Sequence, residues 1–193
     1  RGTQRTCERD RVMSQGTLYG IGTGPGDPEL MTVKAARLIR TSPVVAYFAK
    51  RGRPGNAYTT AASQFTSATL ELPLYYPATV EISARSTEYA QMMTAFYEEA
   101  ATTIAAHLTD GRDVAVLCEG DPLLYGSYMY LHDQLADRFK STVVPGVTGM
   151  SGCAAFAGLP MTYGDDVLVV VPGTLDETEL EDRLRHADAA VVM

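Results

Sequence analysis

The sequence predicts an α/β fold with a largely parallel sheet, and three observations lead to that prediction. Short apolar segments of strand length alternate along the chain with longer segments whose apolar residues recur at helical spacing. Two of the short segments, Val44–Ala49 and Val114–Cys118, contain no charged residue. Strands of this composition are buried on both faces, as in a parallel sheet covered by helices on both sides. Turns rich in glycine and proline separate strands from the helices that follow them.

The first 118 residues contain three predicted strands, at residues 17–22, 44–49 and 114–118. Apolar residues at helical spacing predict a helix over residues 28–40. A longer amphipathic pattern predicts a second helix over residues 86–108, because one stripe of that segment is apolar from end to end.

The rest of the chain continues the alternation of strands and helices. The predicted helices cover residues 123–139, 148–157 and 177–185. The predicted strands cover residues 142–144, 167–171 and 189–193.

Two domains are expected, with a ligand cleft between them. Residues 1–15 are polar and are interpreted as a disordered N-terminal extension, and residues 16–141 form the N-terminal α/β domain. Residues 142–193 begin a second α/β domain. Because the chain ends on an apolar strand at residues 189–193, we expect that second domain to be truncated.

Composition argues against several classes of protein. The net charge of −7, with no face rich in lysine or arginine, argues against a nucleic-acid partner. The longest apolar segments fall far short of the roughly 20 residues that a membrane span requires. The three cysteines and three histidines are scattered, so neither a metal site nor a disulfide framework is expected. This cysteine usage favours a reducing compartment, and we expect a cytoplasmic protein.

Three strand-to-helix turns share one design. Residues 24–28 (GPGDP), 120–122 (GDP) and 145–149 (PGVTG) each follow a predicted strand and precede a predicted helix. Glycine permits tight turns and close ligand approach, aspartate caps the first helical amides, and proline suits the first helical position. We therefore expect backbone N–H groups beside a crevice at the strand ends, where they would suit an anionic group.

A dinucleotide site is the obvious competitor, but the glycine spacing does not fit it. In the G-x-G-x-x-G pattern, a start at Gly20, Gly22 or Gly24 places Pro25, Asp27 or Glu29 at the third glycine position. The second strand is followed by lysine instead of the acidic residue that would bind a ribose. No Gly-Lys-Ser/Thr is present, so the pattern also lacks a P-loop.

The chain resembles the tetrapyrrole methylases in three ordered segments. These are residues 18–36 (LYGIGTGPGDPELMTVKAA), 118–128 (CEGDPLLYGSY) and 145–153 (PGVTGMSGC). The resemblance covers residues 17–193. It implies a two-domain tetrapyrrole methylase-like fold, S-adenosyl-L-methionine bound in the cleft between the domains, a tetrapyrrole substrate and a homodimer.

The same resemblance implies cofactor-binding residues in all three turns and at the end of the chain. These are Pro25, Gly120, Asp121, Pro122, Tyr125, Thr148, Gly149 and Met193. The segment around Glu119 and residues 124–131, with residues 70–79, resembles the branch of the family that methylates ring carbon C20.

Methyl transfer to an electron-rich ring carbon depends mainly on positioning two reactants and excluding water. No constellation of nucleophile and base is visible, and Tyr125, Glu119 and Tyr76 are the candidates for the group that accepts the departing proton. Lys50, Arg51 and Arg53 follow the second strand and are predicted to bind the carboxylates of the substrate. The alternatives are a sibling specificity, a cobalt-containing substrate, or a non-catalytic module that binds a nucleotide or an anion.

Overall fold

The computed structural model describes residues 14–77 and 86–193. Its strands are β1 (Leu18–Gly22), β2 (Val44–Ala49), β3 (Leu70–Tyr75), β4 (Val114–Cys118), β5 (Ser141–Val144), β6 (Leu168–Val171) and β7 (Ala189–Val192). Its α-helices are α1 (Val33–Thr41), α2 (Asn56–Ala61), α3 (Thr87–Thr109), α4 (Tyr128–Leu135), α5 (Gly149–Ala157) and α6 (Glu177–Leu184). The predicted extension at residues 1–15 lies almost wholly outside the described residues.

The larger sheet has the strand order β3-β2-β4-β1-β5, and every neighbouring pair in it is parallel. Strands β6 and β7 form a separate parallel pair. The predicted α/β class with a parallel sheet is thereby confirmed. Helices connect consecutive strands because parallel strands need a long crossover from one end of the sheet to the other.

Helices cover both faces of the larger sheet, as the uncharged strands predicted. On one face, α3 and α4 contribute Ile104, Leu108, Leu131 and Leu135 to a core shared with Val114 and Val116 of β4. On the other face, α1 and α2 contribute Leu38, Ile39, Ala57 and Ala61 to a core shared with Ala115 and Leu117 of the same strand. Successive residues of β4 therefore alternate between two apolar layers, and all five are buried.

Two predicted helices begin differently in the structure. The helix predicted over residues 28–40 is split into a 3₁₀ turn at Pro28–Leu30 and helix α1. The split occurs because the hydroxyl of Thr32 accepts a hydrogen bond from the Ala35 amide and starts α1 anew. The helix predicted over residues 123–139 begins only at Tyr128, because Tyr125 has a φ of 51°. That left-handed conformation does not continue a right-handed helix.

The last part of the chain forms a second, smaller unit that starts after the larger sheet. Strand β5, which was assigned to the second domain at residue 142, pairs with β1 from Leu18↔Ser141 onward and belongs to the larger sheet. The division between the sheets therefore falls after Val144. Helix α6 packs on β6, and Met193 continues the β6–β7 pair by donating its amide hydrogen to the carbonyl of Val171. The domain boundary itself stays a prediction.

Candidate active site

The carboxyl ends of β1 and β4 meet at a point where the chain changes direction. The connection after β1 runs through α1 to β2, whereas the connection after β4 runs through α4 to β5 on the opposite side. Helices α1 and α4 pack on opposite faces of the sheet. In open α/β sheets, the crevice at such a switch point is the usual place for a ligand.

Backbone hydrogen bonds join the first two turns across this switch point. The Gly120 amide donates to the Gly24 carbonyl at 2.9 Å, and the Gly24 amide donates to the Gly120 carbonyl at 3.4 Å. The two residues form an antiparallel bridge, with φ of 81° at Gly24 and 63° at Gly120. Glycine adopts these positive φ angles without the clash that a Cβ would cause.

The third turn packs so closely on the other two that no side chain fits between them. A Cβ atom placed on Gly146 would lie 2.0 Å from the carbonyl oxygen of Gly120 and 3.0 Å from the Cα of Gly22. A Cβ on Gly22 would lie 2.6 Å from the Gly146 amide nitrogen. The three turns therefore form one packed unit, which we call the glycine floor (Gly22, Gly24, Gly120 and Gly146).

The carboxylate of Asp121 links the second turn to the third by hydrogen bonds. One carboxylate oxygen accepts a hydrogen bond from the Leu123 amide at 2.9 Å, and the other accepts one from the Gly146 amide at 3.1 Å. Asp121 thus stabilises a turn and links it to the next one; it does not cap a helix as predicted, because α4 begins at Tyr128. In the first turn, Asp27 does cap the 3₁₀ turn, by accepting from the Glu29 amide.

The expectation that free turn amides would bind an anion is wrong for the three glycines. The amides of Gly24, Gly120 and Gly146 all donate within the glycine floor or to Asp121. Only the third turn opens an α-helix directly, at Thr148, whose hydroxyl accepts from the Ser151 amide. These three amides are therefore not available to a ligand above the floor.

A cleft of about 560 Å³ opens above the floor. Eleven of the residues predicted for the site line it, namely Pro25, Lys50, Arg53, Tyr76, Glu119, Gly120, Asp121, Tyr125, Thr148, Gly149 and Met193. Two predicted residues do not. Pro122 is buried, and Arg51 is exposed, with its guanidinium 5.2 Å from the centre of the Tyr75 ring.

Pro25 and Tyr125 both contact the part of the chain that follows the larger sheet. A Cβ atom on Gly152 of α5 would lie 2.5 Å from Cβ of Pro25, so the helix packs directly against the proline. The Tyr125 hydroxyl donates to the carbonyl of Val170 in β6 at 3.4 Å. A tyrosine in the left-handed region costs about 1–2 kcal/mol of backbone energy, which is the kind of strain that clusters at functional sites.

Several lining residues had no signal in the sequence analysis. Asn56, the first residue of α2, donates to the Glu119 carboxylate at 3.0 Å and thereby fixes a candidate proton acceptor. Phe48 also lines the cleft, and its ring stacks on that of Tyr76, a residue named above as a candidate proton acceptor, with ring centres 5.6 Å apart. Their elements meet only after folding, so spacing along the chain does not reveal these contacts.

Burial controls the ionisation of two groups that line the cleft. Burial, and next the negative charge of Asp121, raise the pKa of the Cys118 thiol far above its usual value. The thiol therefore stays neutral and is a poor nucleophile. Burial also raises the pKa of Tyr76, although the hydrogen bond with Ser127 opposes this shift. Both groups remain protonated near neutral pH.

Neither a metal centre nor a membrane span emerges from residues 14–77 and 86–193. In these two segments, no group of three or more His, Cys, Asp or Glu side chains is arranged to hold a metal ion. None of the helices described there is long and apolar enough to cross a membrane.

The comparison with known families agrees with the geometry of the turns. Residues 17–193 match the family described as Tetrapyrrole (Corrin/Porphyrin) Methylases. The chain belongs to this family. All three turns and the cleft above them fall within the matched region of the tetrapyrrole methylase, and the predicted family resemblance is confirmed.

Known members of the family resemble the chain over most of its length. A Sinorhizobium protein named precorrin-2 C(20)-methyltransferase is 54% identical over 178 residues, which cover 92% of this chain and 73% of the relative. The crystal structure of the cobalt precorrin-4 methyltransferase CbiF matches with a TM-score of 0.64 and 27% identity, over 88% of this chain and 65% of that one.

A second solved structure contains a bound ligand. It is the uroporphyrin-III C-methyltransferase of Thermus thermophilus complexed with S-adenosylhomocysteine. The TM-score is 0.52 and the identity 27%, over 83% of this chain and 57% of that one. The chain thus spans less than two thirds of each of the two solved proteins.

Proposed function

We propose that this tetrapyrrole methylase transfers a methyl group from S-adenosyl-L-methionine to C20 of precorrin-2, giving precorrin-3A, in cobalamin biosynthesis. The observation that carries the reaction type is that family-motif residues from three separate turns line one cleft. The choice of ring position is supported by the 54% identity with the Sinorhizobium relative. The name of this relative specifies precorrin-2 without cobalt, which supports the metal-free compound as the substrate.

The cleft suits the proposed cofactor in size and in shape. Its volume of about 560 Å³ lies within the range of small-molecule pockets, which is roughly 300–1,000 Å³. A Cβ on Gly149 would meet no described atom within 4 Å, so the start of α5 leaves open space beside the floor. We propose that Pro25, Gly120, Thr148, Gly149 and Met193 contact the cofactor, with Asp121 holding the turn that supports it.

Charge in the cleft is divided between two sides. Lys50 and Arg53 lie in the loop after β2, whereas Glu119 and Asp121 follow β4. A substrate with several carboxylates is attracted to the first side. We propose that Lys50 and Arg53 bind those carboxylates, although the chain as a whole has a net charge of −7.

The proposed chemistry needs few protein groups. When bound, S-adenosyl-L-methionine supplies an electrophilic methyl on a positively charged sulfur. C20 forms the new carbon–carbon bond as the sulfur–methyl bond breaks, and the C20 proton then leaves. The cleft must hold C20 in line with the methyl–sulfur bond and exclude water. Glu119, oriented by Asn56 at 3.0 Å, is the group that we propose accepts the proton.

The decisive experiment incubates the purified chain with S-adenosyl-L-methionine carrying a carbon-13 methyl and with either precorrin-2 or cobalt-precorrin-2. We expect one labelled methyl, located at C20 by NMR, with the metal-free substrate preferred. A label at another ring carbon would indicate a sibling specificity, and preference for the cobalt form would reverse the substrate assignment.

A binding titration separates the enzyme from the non-catalytic alternative. S-adenosylhomocysteine should bind tightly, and NAD, ATP and inorganic phosphate should not. Tight phosphate or ATP binding without methyl transfer would favour the anion-binding module. We further propose that the protein is a cytoplasmic homodimer; light scattering coupled to gel filtration and cell fractionation test these two proposals.

A further inference from the structure

Three hydroxyl groups form a chain at one end of the cleft. The Tyr97 hydroxyl donates to Oγ of Ser127 at 3.1 Å, and Oγ of Ser127 lies 2.6 Å from the Tyr76 hydroxyl oxygen. Tyr97 lies in α3 and is only 7% exposed. Ser127 and Tyr76 both line the cleft. The chain of hydroxyls therefore runs from the core into the proposed active site.

One arrangement of the protons leaves a donor free at the end of the hydroxyl chain. Ser127 has a single hydroxyl proton, and its oxygen already accepts the proton of Tyr97. When Ser127 donates its own proton to the Tyr76 oxygen, the Tyr76 proton is left without a partner inside the chain. It is then available to a ligand in the cleft. Hydrogen bonds in such a series polarise one another and strengthen the terminal donor.

Packing holds the terminal tyrosine in place. The Tyr76 ring stacks on Phe48 at 5.6 Å and contacts the Phe96 ring at 5.2 Å. The Tyr76 amide donates to the Ala49 carbonyl at 3.0 Å, which extends the β2–β3 ladder by one residue. The two ring contacts and the backbone hydrogen bond therefore fix the position of the Tyr76 ring and of its hydroxyl.

Ser127 occupies a position where a serine hydroxyl ordinarily caps a helix. It precedes α4 directly. Within the described residues, its side chain makes no capping hydrogen bond. The hydroxyl contacts the two tyrosines instead, so helix formation does not account for serine here.

Building on the function proposed above, we propose that Tyr76 is a substrate-binding residue, whose hydroxyl donates a hydrogen bond to a carboxylate of the tetrapyrrole. Ser127 and Tyr97 are positioning residues that orient this donor. Lys50 and Arg53 line the same cleft and attract carboxylates by charge, whereas Tyr76 adds a neutral, directional contact. Because its raised pKa keeps the phenol protonated, Tyr76 acts as a donor and not as a base.

The test compares single substitutions that remove one hydroxyl each. Tyr76→Phe keeps the stacked ring and should weaken tetrapyrrole binding by about tenfold to a hundredfold, the range for a hydrogen bond to a charged group. Ser127→Ala and Tyr97→Phe should weaken it by a smaller factor, about threefold to tenfold, because the donor remains but loses its orientation. Ser127→Thr keeps the hydroxyl and should restore binding.

Tetrapyrrole dissociation constants are measured from the absorbance of the bound pigment, in parallel with kcat and KM. The affinity for S-adenosylhomocysteine and the thermal midpoint should stay unchanged in Tyr76→Phe. Tyr75→Phe is the matched control, because the neighbouring tyrosine does not line the cleft in the described structure. KM should rise more than kcat falls, without a new ionisation in the pH profile.

Two different failures can be told apart. If the unmodified chain methylates the tetrapyrrole but Tyr76→Phe binds it normally, the assignment of Tyr76 is overturned and the proposed function stands. If Tyr76→Phe is impaired but Ser127→Ala is not, the orienting role of the hydroxyl chain is overturned. If the unmodified chain neither binds nor methylates any tetrapyrrole, the proposed function fails and the assignment of Tyr76 fails with it.

Discussion

Replacing Gly146 with alanine tests whether the three turns form one packed unit. The new Cβ would lie 2.0 Å from the Gly120 carbonyl oxygen, which is far inside an ordinary contact of 3.4–4 Å. The obstacle is backbone that is itself hydrogen-bonded to Gly24, so no flexible side chain can move aside. Gly120 or Gly146 would have to shift by more than 1 Å.

The expected cost follows from this overlap. Overpacking in protein cores costs typically 1–3 kcal/mol, and a backbone obstacle places Gly146→Ala at about 3 kcal/mol or more. A domain of this size loses about 2–4 °C in its thermal midpoint for each kcal/mol. We therefore expect the midpoint to fall by about 6–12 °C. Cofactor affinity should fall as well, because Gly120 lines the cleft.

Gly149→Ala, three residues along the chain, is the matched control. Its Cβ meets no described atom within 4 Å, and alanine is favourable at the first position of a helix. Thermal stability should be unchanged or slightly higher, whereas the added methyl can still obstruct a ligand beside α5. Melting by circular dichroism and titration with S-adenosylhomocysteine measure both properties. Equal midpoints for the two variants would refute the packed arrangement of the turns.

Two further predictions concern charged residues. Exchanging Lys50 and Arg53 together for glutamine should raise KM for the tetrapyrrole and flatten the salt dependence of KM. Arg51→Gln is the control, because Arg51 lies outside the cleft, and it should leave both properties unchanged. If Arg51→Gln has the same effect as the double exchange, the assignment of Lys50 and Arg53 is contradicted. Asp121→Ala should lower the free energy of unfolding by about 2–3 kcal/mol, through two lost hydrogen bonds, against about 1 kcal/mol for Asp27→Ala. Urea unfolding measures the difference, and a larger loss at Asp27 would reverse it.

The bounds of the two fully apolar strands, β2 and β4, could be predicted from their composition. Strands β2 and β4 have the predicted bounds, since uninterrupted apolar residues bounded by turns permit few alternatives. Strand β3 was not predicted, and it contains Pro73, a residue that is unusual in a strand. The structure explains the exception, since β3 lies at the edge of the sheet and pairs only with β2.

The site could be predicted only where its residues belong to a local motif. Most of the predicted turn residues line the cleft, because each turn begins where a strand ends, and Pro122 is the exception. The basic loop was predicted as a unit, but its short Lys50–Arg53 bridge turns Arg51 outward onto Tyr75. Contacts such as Asn56 with Glu119 join residues 63 positions apart and depend on the tertiary fold.

The paired amides of the glycine floor also have a dynamic consequence. Loops usually exchange their amide hydrogens quickly, because such backbone groups open to solvent at low free energy. The amides of Gly24, Gly120 and Gly146 are bonded within a packed unit, so they should exchange as slowly as those of the neighbouring strands. The base of the cleft is then rigid before any ligand arrives, which reduces the entropy lost on binding. The loop between β2 and α2 is largely exposed, so we expect any adjustment to the proposed substrate to occur there and not in the floor.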